Sequence, residues 1–192
     1  MTETPTRLAD LDMWPLRTER LVLRPATHAD LPALWHVRRT PEAGEWGGSR
    51  PATYDEFAES FTDDGLADQL LIERDGEVIG DLLLQVGPGW AQREVSDAAV
   101  GTLGTLGWVL HPDHWGHGHA TEAVRALIDV AFGPLGLHRV IAECFADNEP
   151  SWRLMERIGM RREAHNVKDS LHRDRGWING YVYALLAEEW PT

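Results

Sequence analysis

The stretch Gly107-Trp-Val-Leu-His-Pro-Asp-His-Trp-Gly-His-Gly-His-Ala-Thr-Glu-Ala123 carries the fold in outline. An apolar β-type run ends at Leu110, just ahead of Pro112. A turn with two glycines follows, and an amphipathic helix begins behind it. Gly116 and Gly118 let the backbone approach a ligand closely and turn its N–H groups inward. The helix adds the positive end of its dipole. Strand, glycine turn and helix N-terminus together form a pocket for a phosphate or pyrophosphate.

Downstream, a helix is expected over Thr121 to Phe132, burying Val124, Leu127, Ile128 and Ala131 at helical spacing. Gly133-Pro134 and Gly136 end it. Arg139 to Phe145 reads as a strand and Asp147 to Pro150 as a turn. Ser151 to Ile158 reads as a short helix, stopped by Gly159. Trp177 to Leu186 offers a last strand. Upstream, Asp75-Gly76 lies between two apolar runs and signals a hairpin. Leu21 to Pro25 reads as the first strand. Thr27 and Asp30 form a capping box ahead of a helix with Leu31, Leu34, Trp35 and Val37 on its apolar face. Thr53 and Glu56 open a second helix, with a loop over Thr40 to Ala52 between the two. Thr105 to Leu110 is the strand before the glycine turn, preceded by an irregular insertion from Gly87 to Gly104. The order β-α-α-β-β-β-α-β-α-β makes an α+β domain, its sheet mostly antiparallel with one β-α-β crossover.

The length, 192 residues, suits one domain with its own core. Residues 1–15 read as an N-terminal extension and 16–192 as the domain. No apolar run approaches the roughly 20 residues of a membrane span, and Met1 to Asp12 has no secretory pattern. The single cysteine, Cys144, forbids an internal disulfide, which suits a cytoplasmic location. A net charge of −13 repels nucleic acid backbone and anionic membranes, so neither is an expected partner. It favours a cationic one, or serves solubility alone. Several of the nine tryptophans (Trp46, Trp90, Trp115, Trp177) fall in expected loops or at their edges, where large rings line clefts or pack on the surface.

Four segments together resemble the GNAT acetyltransferases: Leu16 to Pro25, Gly107 to Ala123, Asn148 to Met160, and Tyr183 to Trp190. The branch they resemble is the RimJ/RimL-like one, which acetylates the N-termini of ribosomal proteins. The resemblance implies a GNAT-like sheet flanked by helices, with two strands splayed apart at the cofactor site. It implies acetyl-CoA as cosubstrate, no metal, and direct transfer of the acetyl group to a primary amine in a ternary complex. The coenzyme would lie on Trp108, Val109, Leu110, Trp115, Gly116, His117, Gly118, His119, Ala120 and Thr121, with Asn148 on the pantetheine arm and Ser151 near the sulfur. In the family the glycine turn begins with Gln or Arg; here Trp115 holds that place, so one side-chain donor is lost. His114, His117 and His119 could partly replace it. Relatives often form homodimers.

Acyl transfer needs a neutral amine, a proton acceptor and a donor for the developing oxyanion. A backbone N–H around Val109 to Leu110 suits the last role, and the Ser151 hydroxyl could protonate the leaving thiolate. An α-amine loses its proton near pH 7.7–8.0, so a weak base acting through water suffices. Glu143 and Asp81 are the candidates, and the sequence does not choose between them. Glu94 and Asp97, in the insertion, are expected beside the acceptor entrance. The acceptor itself, a protein or peptide N-terminus or a small cationic amine, is open. A competing reading is a coenzyme A-binding module or sensor without turnover. Four histidines within nine residues suggest a metal, but their loop-like spacing without accompanying carboxylates or cysteine argues against one. Cys144, mid-strand in an apolar run, is a poor nucleophile, and Gly116-x-Gly118 lacks the remainder of a dinucleotide fingerprint.

Overall fold

The computed structural model describes residues 7–191, so residues 1–6 of the expected N-terminal extension and Thr192 lie outside it. The described part of the extension packs on the domain: Leu8 is buried in the main core, and the Trp14 indole donates to the Leu8 carbonyl at 2.9 Å. Eight strands, β1 (Leu16–Arg17), β2 (Val22–Pro25), β3 (Gln69–Arg74), β4 (Glu77–Gly87), β5 (Leu103–Leu110), β6 (Arg139–Phe145), β7 (Arg161–His172) and β8 (Gly176–Leu186), form one sheet. Its order is β1-β2-β3-β4-β5-β6-β8-β7, and only β5 and β6 are parallel. The helices are α1 (Leu31–Arg38), α2 (Pro41–Glu45), α3 (Tyr54–Glu59), α4 (Asp63–Ala67), α5 (His119–Phe132) and α6 (Glu149–Arg157).

Neighbouring residues of one strand show the two layers. Leu70 joins the main core with Leu82, Leu106 and the α5 residues Ala123, Val124, Leu127 and Ile128. Leu71 faces the other way, into a smaller cluster with Leu31, Leu34, Phe57 and Leu66 of the α1–α4 segment. Helix α5 is the right length and pattern to cross from β5 to β6, which makes that pair parallel. At the β3–β4 hairpin both Asp75 and Gly76 have positive φ, the geometry of the tight turn that their types predict.

Thr27 and Asp30 do form the expected capping box, opening a 3-10 turn that runs into α1. Elsewhere the structure adds elements. The expected loop from Thr40 to Ala52 contains α2, capped by Thr40, and Thr62 caps α4. β1 and β7 were not expected, and α5 starts two residues earlier than read. β7 is an edge strand whose residues are mostly exposed, so it lacks the apolar alternation that betrays a half-buried strand.

Leu127 is fully buried where α5 meets the sheet. Leu127→Ala should lower the unfolding free energy by about 2–5 kcal/mol. Urea titration followed by tryptophan fluorescence should give that loss as a lower midpoint with an unchanged slope.

Candidate active site

β5 and β6 are paired from Leu103↔Arg139 to Leu106↔Ala142 and no further. β5 runs on to Leu110 and β6 to Phe145, each still paired on its outer side, to β4 and to β8. The result is a wedge-shaped gap in the middle of the sheet. The His111 N–H bonds to the Ile79 carbonyl of β4. Main-chain groups alternate in direction along a strand. Gly107 and Val109 therefore turn their backbone to β4, while Trp108 and Leu110 turn theirs into the gap. This corrects one expectation: Val109 offers the gap only its side chain, and the N–H facing it is that of Leu110. The Leu110 carbonyl is already taken, at 2.9 Å, by the indole N–H of Trp115. Trp115 thus braces the end of β5, and its donor is not free for a phosphate.

The glycine turn follows. Gly116 and Gly118 have φ of +78° and +80°, a region that favours glycine. Gly118 caps α5, so the N–H groups of His119, Ala120 and Thr121 lack partners within the helix and point at the cleft. A network from the far N-terminal part of the chain holds this turn. Arg20 pairs with Glu122 through its Nε at 2.7 Å and donates to the His117 carbonyl at 2.8 Å. Thr18 and the Arg20 N–H also bond to Glu122. One further guanidinium nitrogen of Arg20 lies 3.5 Å from where a Gly118 Cβ would sit. His119 is 2% exposed and its Nδ1 has no hydrogen-bond partner among the described residues. Burial, then the charge of Arg20, hold its pKa below the ordinary histidine value.

Asn148 is the N-cap of α6, accepting from the Ser151 N–H at 3.4 Å. Ser151 therefore stands in the first turn and is not the cap. Glu143 is exposed on β6, past the last paired residue. Asp81 is 1% exposed and engaged twice by Arg38, once through Nε at 2.9 Å. Burial works against the Arg38 charge, but the facing carboxylate outweighs it and raises the arginine pKa. Asp81 is thus tied to Arg38 inside the fold, whereas Glu143 lies exposed in the cleft.

All these residues line one cleft of about 1710 Å³, with His117 the exception among the expected binding residues. His117 stacks on His119 outside the lining, ring centroids 5.7 Å apart. Glu94 and Asp97 do not line the cleft either. They sit in a 3-10 segment, Arg93–Ala99, that leads into the paired N-terminal end of β5, away from the gap. The expectation that they flank the acceptor entrance is overturned. Besides the Asp81–Arg38 pair, the carboxylates of the cleft are Glu19, Glu42, Glu45, Glu122, Glu143, Glu149 and Asp169, and its arginines are Arg20, Arg125, Arg153 and Arg157. Among the described residues no group of three or more His, Cys, Asp or Glu is placed to hold a metal ion. Burial pushes the Cys144 thiol up to about 11, so it is protonated at neutral pH.

Residues 20–161 match the family model described as "Acetyltransferase (GNAT) domain". The chain belongs to the GNAT acetyltransferases. The uncharacterized N-acetyltransferase p20 of Bacillus licheniformis is 29% identical over 93% of this chain and 99% of its own. The uncharacterized N-acetyltransferase YnaD of Bacillus subtilis is 42% identical over 85 residues, 44% of this chain and 49% of its own length. A GNAT-family acetyltransferase of Bacillus anthracis superposes with a TM-score of 0.76 and 27% identity, over 91% of this chain and 99% of that one. RimJ of Mycobacterium smegmatis, solved with CoA-disulfide, has the same fold, with a TM-score of 0.72 and 22% identity over 93% of this chain and 91% of that one. Its class is therefore that of an N-acetyltransferase, from a family that uses acetyl-CoA.

Arg20 is the cleft residue bound to the glycine turn that the sequence reading missed. It lies in the Leu16 to Pro25 segment that carries the resemblance, but nothing local marks it as a neighbour of a turn 97 residues away. Arg157 reaches the same place from α6, donating to the Thr121 hydroxyl at 3.3 Å.

The lowered pKa of His119 has a consequence for stability. The unfolded chain takes up this proton near pH 6.5 and the folded chain only at lower pH. The unfolded state therefore binds more protons in that window, and stability falls as pH drops below about 6.5. Urea unfolding at pH 7.5 and pH 5.5 should show a smaller acid loss for His119→Gln than for the natural chain. Equal losses would mean that His119 already carries its charge in the fold.

Proposed function

We propose that the chain transfers the acetyl group of acetyl-CoA to a primary amine by direct attack in a ternary complex. The observation that carries this reading is the gap between β5 and β6, opening directly onto a glycine turn with unpaired N–H groups. A pyrophosphate needs several donors converging on one point, and the turn from Gly116 to Thr121 offers them together with Arg20. The fit is also steric: a Cβ at Gly116 would meet nothing within 4 Å, so the turn lies open to a ligand. The pantetheine arm carries amides, which suit the free backbone groups of Trp108 on the β5 edge. Its remaining polar groups come within reach of Asn148.

In this reading the thioester lies in the gap. The Leu110 N–H is aimed to receive the developing oxyanion. Glu143 draws the proton from the attacking amine through water, and the Ser151 hydroxyl returns one to the leaving thiolate. Arg20, Arg125, Arg153 and Arg157 attract the anionic coenzyme to one end of the cleft. Glu42, Glu45 and Asp169 leave the other end to the amine. An amine acceptor agrees with a protein of the same fold, the spermidine N-acetyltransferase SpeG of Vibrio cholerae, a mutant of which superposes with a TM-score of 0.69 at 18% identity.

Thiol release from acetyl-CoA with a panel of amines and short peptides tests the reading. Gly118→Asp should weaken acetyl-CoA binding at least tenfold, about 1.4 kcal/mol, by setting a carboxylate beside Arg20 in the anion's place; calorimetry with unchanged affinity removes the anion site. Ser151→Ala should lower kcat about 10²-fold with little change in acetyl-CoA affinity. Full kcat in that variant assigns Ser151 to the helix turn alone.

A further inference from the structure

The face of the sheet on the α1 side has an aromatic wall that the transfer chemistry does not use. Gly107 and Val109 share this face with their partners Leu83 and Asp81 on β4. The parallel register of β5 with β6 puts Glu143 and Phe145 on it too, across the gap. Next to the gap this face is largely apolar: Leu83, Val109, Phe145 and Val182 are half-buried and line the cleft. Trp46 stands over Phe145 with ring centroids 5.9 Å apart.

Trp46 sits in a strap, Gly44 to Ser49, that lines the same cleft. The β7–β8 turn clamps this strap. The His172 Nδ1 accepts from the Asp174 N–H at 3.1 Å, so its Nε2 carries the proton and donates to the Glu45 carbonyl at 3.0 Å. Arg173 donates to the carbonyls of Gly44 and, at 2.6 Å, Gly47. The outer face of the indole is covered by Arg175, whose Cζ lies 4.6 Å from the ring and whose guanidinium pairs with Glu45. His172 itself is 3% exposed and packs edge-on against both Trp46 and Phe145. Three main-chain carbonyls of a short strap are thus held by two side chains from the other end of the sequence. Such bracing fixes where the indole stands, and a fixed, partly open aromatic pair beside a reacting gap is what the apolar body of a ligand covers.

We propose that Trp46 is the specificity residue of the acceptor side, with Arg173 as its positioning residue. The acceptor is an amine bearing a flat apolar substituent, which lies against Trp46 and Phe145 while its amine enters the gap. This inference rests on the acetyl-transfer reading. A linear polyamine has no group for this wall.

The test compares phenethylamine, ethylamine and spermidine as acceptors for the full-length chain, with thiol release from acetyl-CoA as the signal. Phenethylamine should exceed ethylamine about tenfold or more in kcat/KM. Trp46→Ala should bring that ratio close to one through the amine KM, leaving the acetyl-CoA KM unchanged, and Trp46→Phe should keep most of it. Arg173→Met, which leaves the ring in place but frees the strap, should raise the phenethylamine KM and again spare acetyl-CoA. Equal use of the two small amines by the natural chain, a preference for spermidine, or a ratio that survives both Trp46→Ala and Arg173→Met overturns the proposal and leaves acetyl transfer standing. No thiol release with any of the three amines overturns this inference, and none with the wider panel of amines and short peptides defeats the transfer reading as well.

Discussion

A sheet that stops pairing with itself at Leu106 and Ala142 governs everything else in this molecule. Unpaired backbone groups inside a protein are costly, so a gap of this kind persists only if each flank is held independently. Here both are. β5 stays paired to β4 as far as Leu110, and β6 stays paired to β8 as far as Phe145. Beyond the gap, Trp115 ties down the Leu110 carbonyl and Asn148 bonds through its N–H to the Phe145 carbonyl. The groups left over are few, and they face the cleft. The same arrangement assigns the two faces of the split: alternate β5 residues meet the α5 core on one side and the α1 cluster on the other.

The glycine turn depends on this gap for its position and on Arg20 for its shape. Arg20 binds the turn at a carbonyl and α5 at Glu122, which also receives Thr18. A chain with a net charge of −13 needs locally gathered cations to receive an anion, and besides the Asp81-bound Arg38 four arginines from three segments line the cleft. At physiological salt, charges more than about 8 Å from the cleft are largely screened. Overall charge therefore says little about the ligand, and the arginines and carboxylates that reach the cleft say more.

What could be read from the residues follows the strength of local signals. The Asp75-Gly76 hairpin, β6 and the α5 helix are announced by turn chemistry and apolar periodicity, and the structure has all three. β7 is invisible to that method because an edge strand with two exposed sides has no buried stripe to reveal. α2 and α4, five residues each, are shorter than the window in which helical periodicity shows. The site divides in the same way. Gly116 and Gly118 in the turn, and Asn148 and Ser151 at the start of α6, are contiguous with their own motifs, so their places in the fold could be read. Arg20, Arg157 and the Arg173–His172 clamp act across long sequence separations, where only the folded sheet makes neighbours. The placement of Glu94 and Asp97 failed for a related reason: a loop's composition does not say at which end of its strand it lies.

The contrast between Asp81 and Glu143 shows why burial must be weighed with pairing. Both carboxylates lie on the same face of the split sheet, and residue type alone offers no choice between them. Asp81 is buried and bound by Arg38, whose guanidinium also stands 5.7 Å from the Phe61 ring. Removing Arg38 would leave the buried Asp81 charge without its partner, a loss of about 3–5 kcal/mol. Such a pair fixes α1 to β4. Glu143 has no such obligation. It is exposed, stands on β6 just past the last bonded residue, and faces the cleft where water can reach it. One carboxylate is thereby tied into the fold by its partner, and the other lies open to the cleft because the sheet divides beside it.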